Sequence, residues 1–173
     1  RLDRPLVIAD AAHSLGATYR QRPIGSDVAD VTIFSFHSVK NLTTGEGGMI
    51  CLNLPGSFDT MQETQRVKHL SLNGQTKTAL DKATVGGWKY DIVDQGFKAN
   101  MPDLCAAVGL AQLRIYDQEM LPERKRIFEH YNSRLKLHNW AILPPMELGP
   151  RNSSCHLFQL RIRGLDENGR NAM

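Results

Sequence analysis

The sequence predicts an α/β protein: part of a large, mostly parallel sheet, followed by the start of a smaller α+β unit. Three observations carry this. Residues 6–9, 31–36 and 49–52 are short apolar runs of strand length. Helical or looped stretches separate them, as crossovers separate the strands of an α/β sheet. Residues 157–163 then alternate apolar and polar after a linker punctuated by Pro144, Pro145, Gly149 and Pro150. The expected division is residues 1–115, the last part of a large domain, and 116–173, a connecting helix with the start of a small one.

The elements follow in order. Residues 6–9 are wholly apolar and stop at Asp10, the pattern of a strand buried on both faces. Residues 31–36 are rich in β-branched and aromatic side chains and end in Ser35 and Phe36, with His37 next. Lys40 to Thr44 is too polar to continue that strand, and residues 49–52 form a third strand after Gly45, Gly47 and Gly48. Pro55-Gly56 marks a turn before a helix that runs to about residue 69. Residues 70–100 are irregular, with four glycines at 74, 86, 87 and 96. Pro102-Asp103 opens a helix with Leu104, Val108, Ala111 and Ile115 on one apolar face. Pro122 restarts a second helix, with Ile127, Phe128, Tyr131 and Leu135 inward. In the last strand Phe158, Leu160 and Ile162 face inward.

Composition narrows the function classes. A hydrophobic share of 41% and a charged share of 23% are those of a globular protein. The 21 basic residues are interspersed among 18 acidic ones, so neither nucleic acid nor a membrane surface finds a charged patch. Cys51, Cys105 and Cys155 fit neither a disulfide framework nor a metal-ligand spacing, and are expected as reduced thiols in a cytoplasmic protein. No apolar stretch has membrane-spanning length. The sequence opens on Arg1 without a methionine and stops at Met173, which suggests a piece of a longer protein.

The chemistry concentrates at the carboxyl ends of the strands, where open α/β sheets bind ligands. Pyridoxal phosphate needs an amine for its aldehyde, a carboxylate for its ring nitrogen, a small residue beneath the ring, a donor for its hydroxyl and hydroxyls for its phosphate. Asp10, Ala12, His13, Ser35 and Lys40 are residues of those types. Each alone has a plainer explanation. A lysine after a strand is usually solvated, an aspartate there often caps a helix, and glycines 45, 47 and 48 suit any turn.

The combination is more specific. Asp10-Ala11-Ala12-His13, Ser35-Phe36-His37-Ser38-Val39-Lys40 and Thr43-Thr44-Gly45-Glu46-Gly47-Gly48 resemble the DegT/StrS family of nucleotide-sugar aminotransferases. The resemblance continues at residues 96–102, 106–113, Tyr131 and 156–158. It implies the type I fold of pyridoxal-phosphate enzymes and a homodimer. The substrates it implies are a nucleotide-linked ketosugar and an amino donor such as glutamate, with products for polysaccharide, lipid-headgroup or antibiotic sugars.

Residue roles follow from the same resemblance. Lys40 would carry pyridoxal 5'-phosphate as a Schiff base and then move the substrate proton. Asp10 would face the ring nitrogen, Ala12 would pack under the ring, His13 would sit near the ring hydroxyl and Ser35 would bind the phosphate. His37 would lie at the substrate side of the pocket. Lys98 would replace an asparagine contact to the phosphate across the dimer, although Ala99 departs from the aromatic usual there. Family members are about twice this length, so the chain alone is expected to lack a complete site.

Three rivals share this pattern in part. A branch that removes a sugar hydroxyl, a dehydratase, resembles the aminotransferases but carries histidine where Lys40 stands. Desulfurase-like type I enzymes place histidine directly before the lysine, whereas Ser38 and Val39 separate His37 from Lys40. A non-catalytic regulatory protein on the same scaffold would be favoured by loss of the lysine, which is present.

Overall fold

The computed structural model describes residues 4–172; Arg1, Leu2, Asp3 and Met173, the outer ends of the two expected units, lie outside the described residues. Strands β1 (Ile8–Asp10), β4 (Val31–Ser35) and β5 (Gly48–Leu52) form one sheet in the order β1-β4-β5. β1 and β4 are parallel, with Asp10 level with Ile33. β5 returns antiparallel, with Ser35 level with Gly48.

Side chains alternate across this sheet, and its two faces differ. Thr32 and Phe34 are buried, and Phe34 joins Ala11, Phe36, Leu42 and Tyr116 in the core. On the other face Ile33 and Ile50 are exposed, and Ile8 is 64% exposed. The first run is therefore not the strand buried on both faces that its composition suggests. One face is covered, and no described element packs over the other end of the ladder at Val7 and Ile8.

Two-residue strands β2 (Thr18–Tyr19), β3 (Arg22–Pro23), β7 (Glu147–Leu148) and β8 (Arg151–Asn152) make a second sheet, order β3-β2-β8-β7. It ties residues 18–23 to the stretch read as a linker. β6 (Ala141–Ile142) pairs with β9 (Arg161–Ile162) in a separate two-stranded sheet. The expected strand over 157–163 is thus reduced to its last third. Phe158 serves a different purpose, packing edge-on to Phe128 at 4.7 Å and against Tyr131 at 5.2 Å.

Helix α1 (Thr60–Ser71) starts where Asp59 accepts the N–H groups of Met61 and Gln62. Short α2 (Ala79–Lys82) lies in the irregular region, and α5 (Glu167–Asn171) closes the described chain. In that irregular region Gly74 has φ +71°, and a Cβ there would fall 1.8 Å from the Asp94 carbonyl oxygen.

Helix α3 (Asp103–Ile115) begins at Pro102, passes through a π-helical turn (Tyr116–Met120) and continues as α4 (Leu121–Leu135) without a break. Its packed face corrects the sequence reading. Leu104 is 80% exposed, and Val108, Ala111 and Ile115 are also exposed. Cys105, Gly109, Gln112 and Tyr116 face inward instead. Gly109 and Gln112 meet Thr44 and Thr43, where a small residue and an amide serve better than leucines. Gln112 Nε2 donates to the Thr43 carbonyl at 2.7 Å and its Oε1 accepts the Thr43 N–H at 3.1 Å. Gly109 lets the helix approach: an added Cβ would lie 2.6 Å from Thr44 Cγ2. On α4, Phe128 is buried, but Ile127 and Tyr131 of the expected face are exposed.

Candidate active site

The parallel β1–β4 pair sets the site. Both strands end at the same edge, and the pleat fixes which residues share a face. Asp10 lies level with Ile33, and Ser35 is two residues further along β4, so both project from the open face. Asp10 Oδ1 accepts the Ala12 N–H at 3.0 Å, an aspartate turn that leaves the carboxylate exposed. Ala12 itself is half-buried. Ser35 Oγ accepts the His37 N–H at 3.3 Å.

Beyond β4 the chain closes on itself. Phe36 donates its N–H to the Gly47 carbonyl at 2.8 Å, and Thr44 donates to the Phe36 carbonyl at 2.9 Å. Within this loop the Lys40 N–H donates to the His37 carbonyl at 2.9 Å, which turns the chain at the half-buried lysine. His37 Nε2 lies 3.6 Å from a Glu46 carboxylate oxygen, a pair charged only when the imidazole is protonated. Gln112 of α3 clamps the same loop from outside, so Lys40 sits in a braced turn.

His13 meets a residue that the sequence reading quoted without giving it a role. Its ring stands edge-on to His156, with centroids 4.6 Å apart. Burial first, then the nearby His13, Lys40 and Arg124, lowers the His156 pKa from its ordinary value. Lys40, His13 and His156 therefore share one neighbourhood. His156 Nδ1 is buried without a hydrogen-bond partner among the described residues. Asn41, the polar residue directly after Lys40, and Ser154 are both buried, which the sequence does not disclose.

Lys98 belongs to a different neighbourhood within the chain. Residue 98 bridges Leu72 after α1, and its Nζ donates to Asn100 Oδ1 at 2.5 Å. A cavity of about 500 Å³ opens beside His13, bordered by Ser14, Tyr19, Arg151 and Ser154; Asp10 and Lys40 are not among its walls. Among the described residues no group of three or more His, Cys, Asp or Glu could hold a metal ion, and no helix is long and apolar enough to cross a membrane.

The profile of the DegT/DnrJ/EryC1/StrS aminotransferase family matches residues 5–173. The chain belongs to this family. The spore coat polysaccharide biosynthesis protein SpsC of Bacillus subtilis is 38% identical over 157 residues, which is 90% of this chain and 38% of that protein. The UDP-4-amino-4-deoxy-L-arabinose–oxoglutarate aminotransferase of Shewanella sediminis is 35% identical over 133 residues, 75% of this chain and 31% of that protein. Among solved structures, Spr1654 of Streptococcus pneumoniae, a candidate sugar aminotransferase in its PMP-form, superposes with a TM-score of 0.86 at 40% identity. That match covers 98% of this chain and 42% of the other. The same protein in its PLP-form gives 0.83 at 36% identity. This DegT/DnrJ/EryC1/StrS chain thus spans about two fifths of the length of the relatives it matches, and it carries part of the type I fold.

Proposed function

We propose that the protein carrying this chain transfers an amino group, from a donor such as glutamate, to the keto group of a nucleotide-linked sugar. Lys40 holds pyridoxal 5'-phosphate, and the working unit is a homodimer. The observation that carries this reading is the placement of Asp10 and Ser35 on one face, at the shared edge of β1 and β4, with Lys40 in the braced turn just beyond. We also keep the division at residues 115 and 116 as part of the proposal, with a large domain before it and a small one after.

The residues present fit the cofactor. The exposed Asp10 carboxylate has one oxygen engaged by the Ala12 N–H and a second left to face a ring nitrogen. When bound, pyridoxal phosphate supplies an aldehyde that takes up an amine and a ring that draws electrons from the adjoining carbon. The Asp10 carboxylate keeps the proton on the ring nitrogen, because a neighbouring negative charge favours the protonated base. Ala12, a small side chain, would leave room beneath the ring, and His13 would be the donor for the ring hydroxyl. Ser35 Oγ binds the phosphate, with Lys98 of a second copy as a further contact. Lys40 Nζ would hold the cofactor through its amine, and the same amine would serve as the base that carries the proton to and from the substrate carbon. His37 lines the sugar side.

The test is product mass after incubation of the full-length protein with glutamate and a panel of nucleotide-linked ketosugars. An aminated sugar from the parent and none from Lys40→Ala are the expected results. A deoxygenated product without nitrogen would sink the aminotransferase reading in favour of the dehydratase.

A further inference from the structure

Lys40 is followed by Asn41, which is only 4% exposed. The NH2 group of this buried amide finds partners on two remote segments, while its Oδ1 has none among the described residues. Its Nδ2 donates to the Leu15 carbonyl at 3.3 Å and to the Ser154 carbonyl at 2.8 Å. Both acceptors are carbonyls, so the amide cannot be flipped without losing both bonds. Ser154, equally buried, returns the connection: its Oγ donates to the His13 carbonyl at 2.7 Å. Tyr116 Oη, at the π-helical turn, donates to the same Leu15 carbonyl at 2.8 Å. Three segments, 13–15, 40–41 and 153–156, are thereby sewn together around buried polar atoms. Between Ser154 and His156 the backbone is strained: Cys155 is buried with φ +51°, a conformation held by its N–H donating to Ser153 Oγ at 3.0 Å.

We propose that Asn41 and Ser154 are positioning residues that latch the 153–156 segment onto the Lys40 turn, and so place His156 beside His13 at the reacting lysine. The proposal deepens the reading of Lys40 as the reacting residue. Neither latch residue needs to touch substrate. Each acts by fixing a segment that does the work. His156, with its buried unpartnered Nδ1 and its ring against His13, is the side chain whose placement depends on the latch.

The test follows the titration of the His156 ring by NMR in cofactor-free full-length protein, with the resonance assigned through His156→Gln. The charged or titratable groups facing it are His13, Lys40 and Arg124. Lys40→Ala in the parent should raise the His156 pKa, because it removes a nearby positive charge. Asn41→Ala should also raise it, and Lys40→Ala added to Asn41→Ala should then shift it less than in the parent. Ser154→Ala, which loses only one hydroxyl, repeats the experiment if Asn41→Ala folds poorly. In the loaded enzyme either latch variant should lower kcat, on the order of a hundredfold for an ångström of misplacement, with KM little changed. An equal Lys40→Ala shift with and without the latch, with kcat intact, would overturn the proposal and leave Asn41 a packing residue. The cofactor-free titration does not depend on what Lys40 carries. Loss of the aminotransferase reading would show in product mass alone, and loss of the latch in the titration.

Discussion

On one face of the β1-β4-β5 sheet, Thr32 and Phe34 are buried, and Phe34 meets Ala11, Phe36, Leu42 and Tyr116. On the other, Ile8, Ile33 and Ile50 stand open beside the exposed Asp10. The contrast assigns different tasks to residues that neighbour one another along the chain. Ala11 anchors the turn whose preceding residue is Asp10, and Phe34 and Phe36 anchor the strand end whose intervening residue is Ser35. The side chains proposed for chemistry need no packing of their own to be placed. Alternation lets the covered face hold them.

Substitutions can separate the two tasks. Asp10→Asn should have the largest effect on turnover. The amide oxygen can still accept the Ala12 N–H, but the charge is lost. Amino transfer by the full-length protein should fall on the order of a thousandfold, about 4 kcal/mol of barrier, while the urea midpoint hardly moves. Full activity in this variant would show that Asp10 does not hold the ring proton. Phe34→Ala should do the reverse. At 4% exposure it leaves a cavity in the core, and about 3–5 kcal/mol of stability should be lost, with the activity of the folded fraction falling far less than in Asp10→Asn. Urea unfolding measures the first quantity and activity per folded molecule the second.

What the sequence discloses follows the same division. The ends of β1 and β4 were legible because apolar runs stop at Asp10 and near Ser35, and those stops are chemical. β2, β3, β7 and β8 were not, since two residues cannot display a period of two. The stripe Leu104, Val108, Ala111 and Ile115 is amphipathic on paper. The packed stripe is Cys105, Gly109, Gln112 and Tyr116, in which Gln112 bonds the Thr43 backbone and Gly109 makes room for the Thr44 methyl. Periodicity locates an apolar face without telling what it meets. For the candidate site, residue types at strand ends, taken together with the family resemblance, pointed to Asp10, Ser35 and Lys40. Asn41 and Ser154 join segments 113 residues apart, which no local pattern records.

A smaller effect sharpens the account of how β1 is held at its entrance. The Asp30 carboxylate accepts two bonds from Arg4 at 2.6 Å and the Val7 N–H at 2.7 Å. Arg4 chiefly, then the Val7 N–H, lowers its pKa to about 2. A carboxyl depressed in the folded state stabilises fully above its unfolded pKa, about 4. That contribution fades as pH falls from there through about 2. The urea midpoint of the parent should therefore exceed that of Asp30→Asn at pH 6, and the gap should close between pH 4 and pH 2. A gap independent of pH would show that the Arg4 pairing is not what holds the strand entrance.

The smallest expected effect probes the open face directly. Ile33 lies next to Phe34 in sequence, yet is 42% exposed. Ile33→Thr keeps the β-branch that suits a strand and removes apolar surface that is only partly withdrawn from water. It should cost less than about 1 kcal/mol, as surface changes in strands do. It should leave the Phe34 core, and hence the strand end carrying Ser35, in place. Unfolding at two protein concentrations makes the measurement decisive. A small, concentration-independent loss means that the face is open in solution. A loss as large as that of Phe34→Ala, shrinking with dilution, means that another copy covers Ile33, since a partner that binds only the folded chain stabilises it by mass action. The difference between the faces would then be a property of the single chain, and the assembly would have closed over the site from the side that Asp10 and Ser35 face.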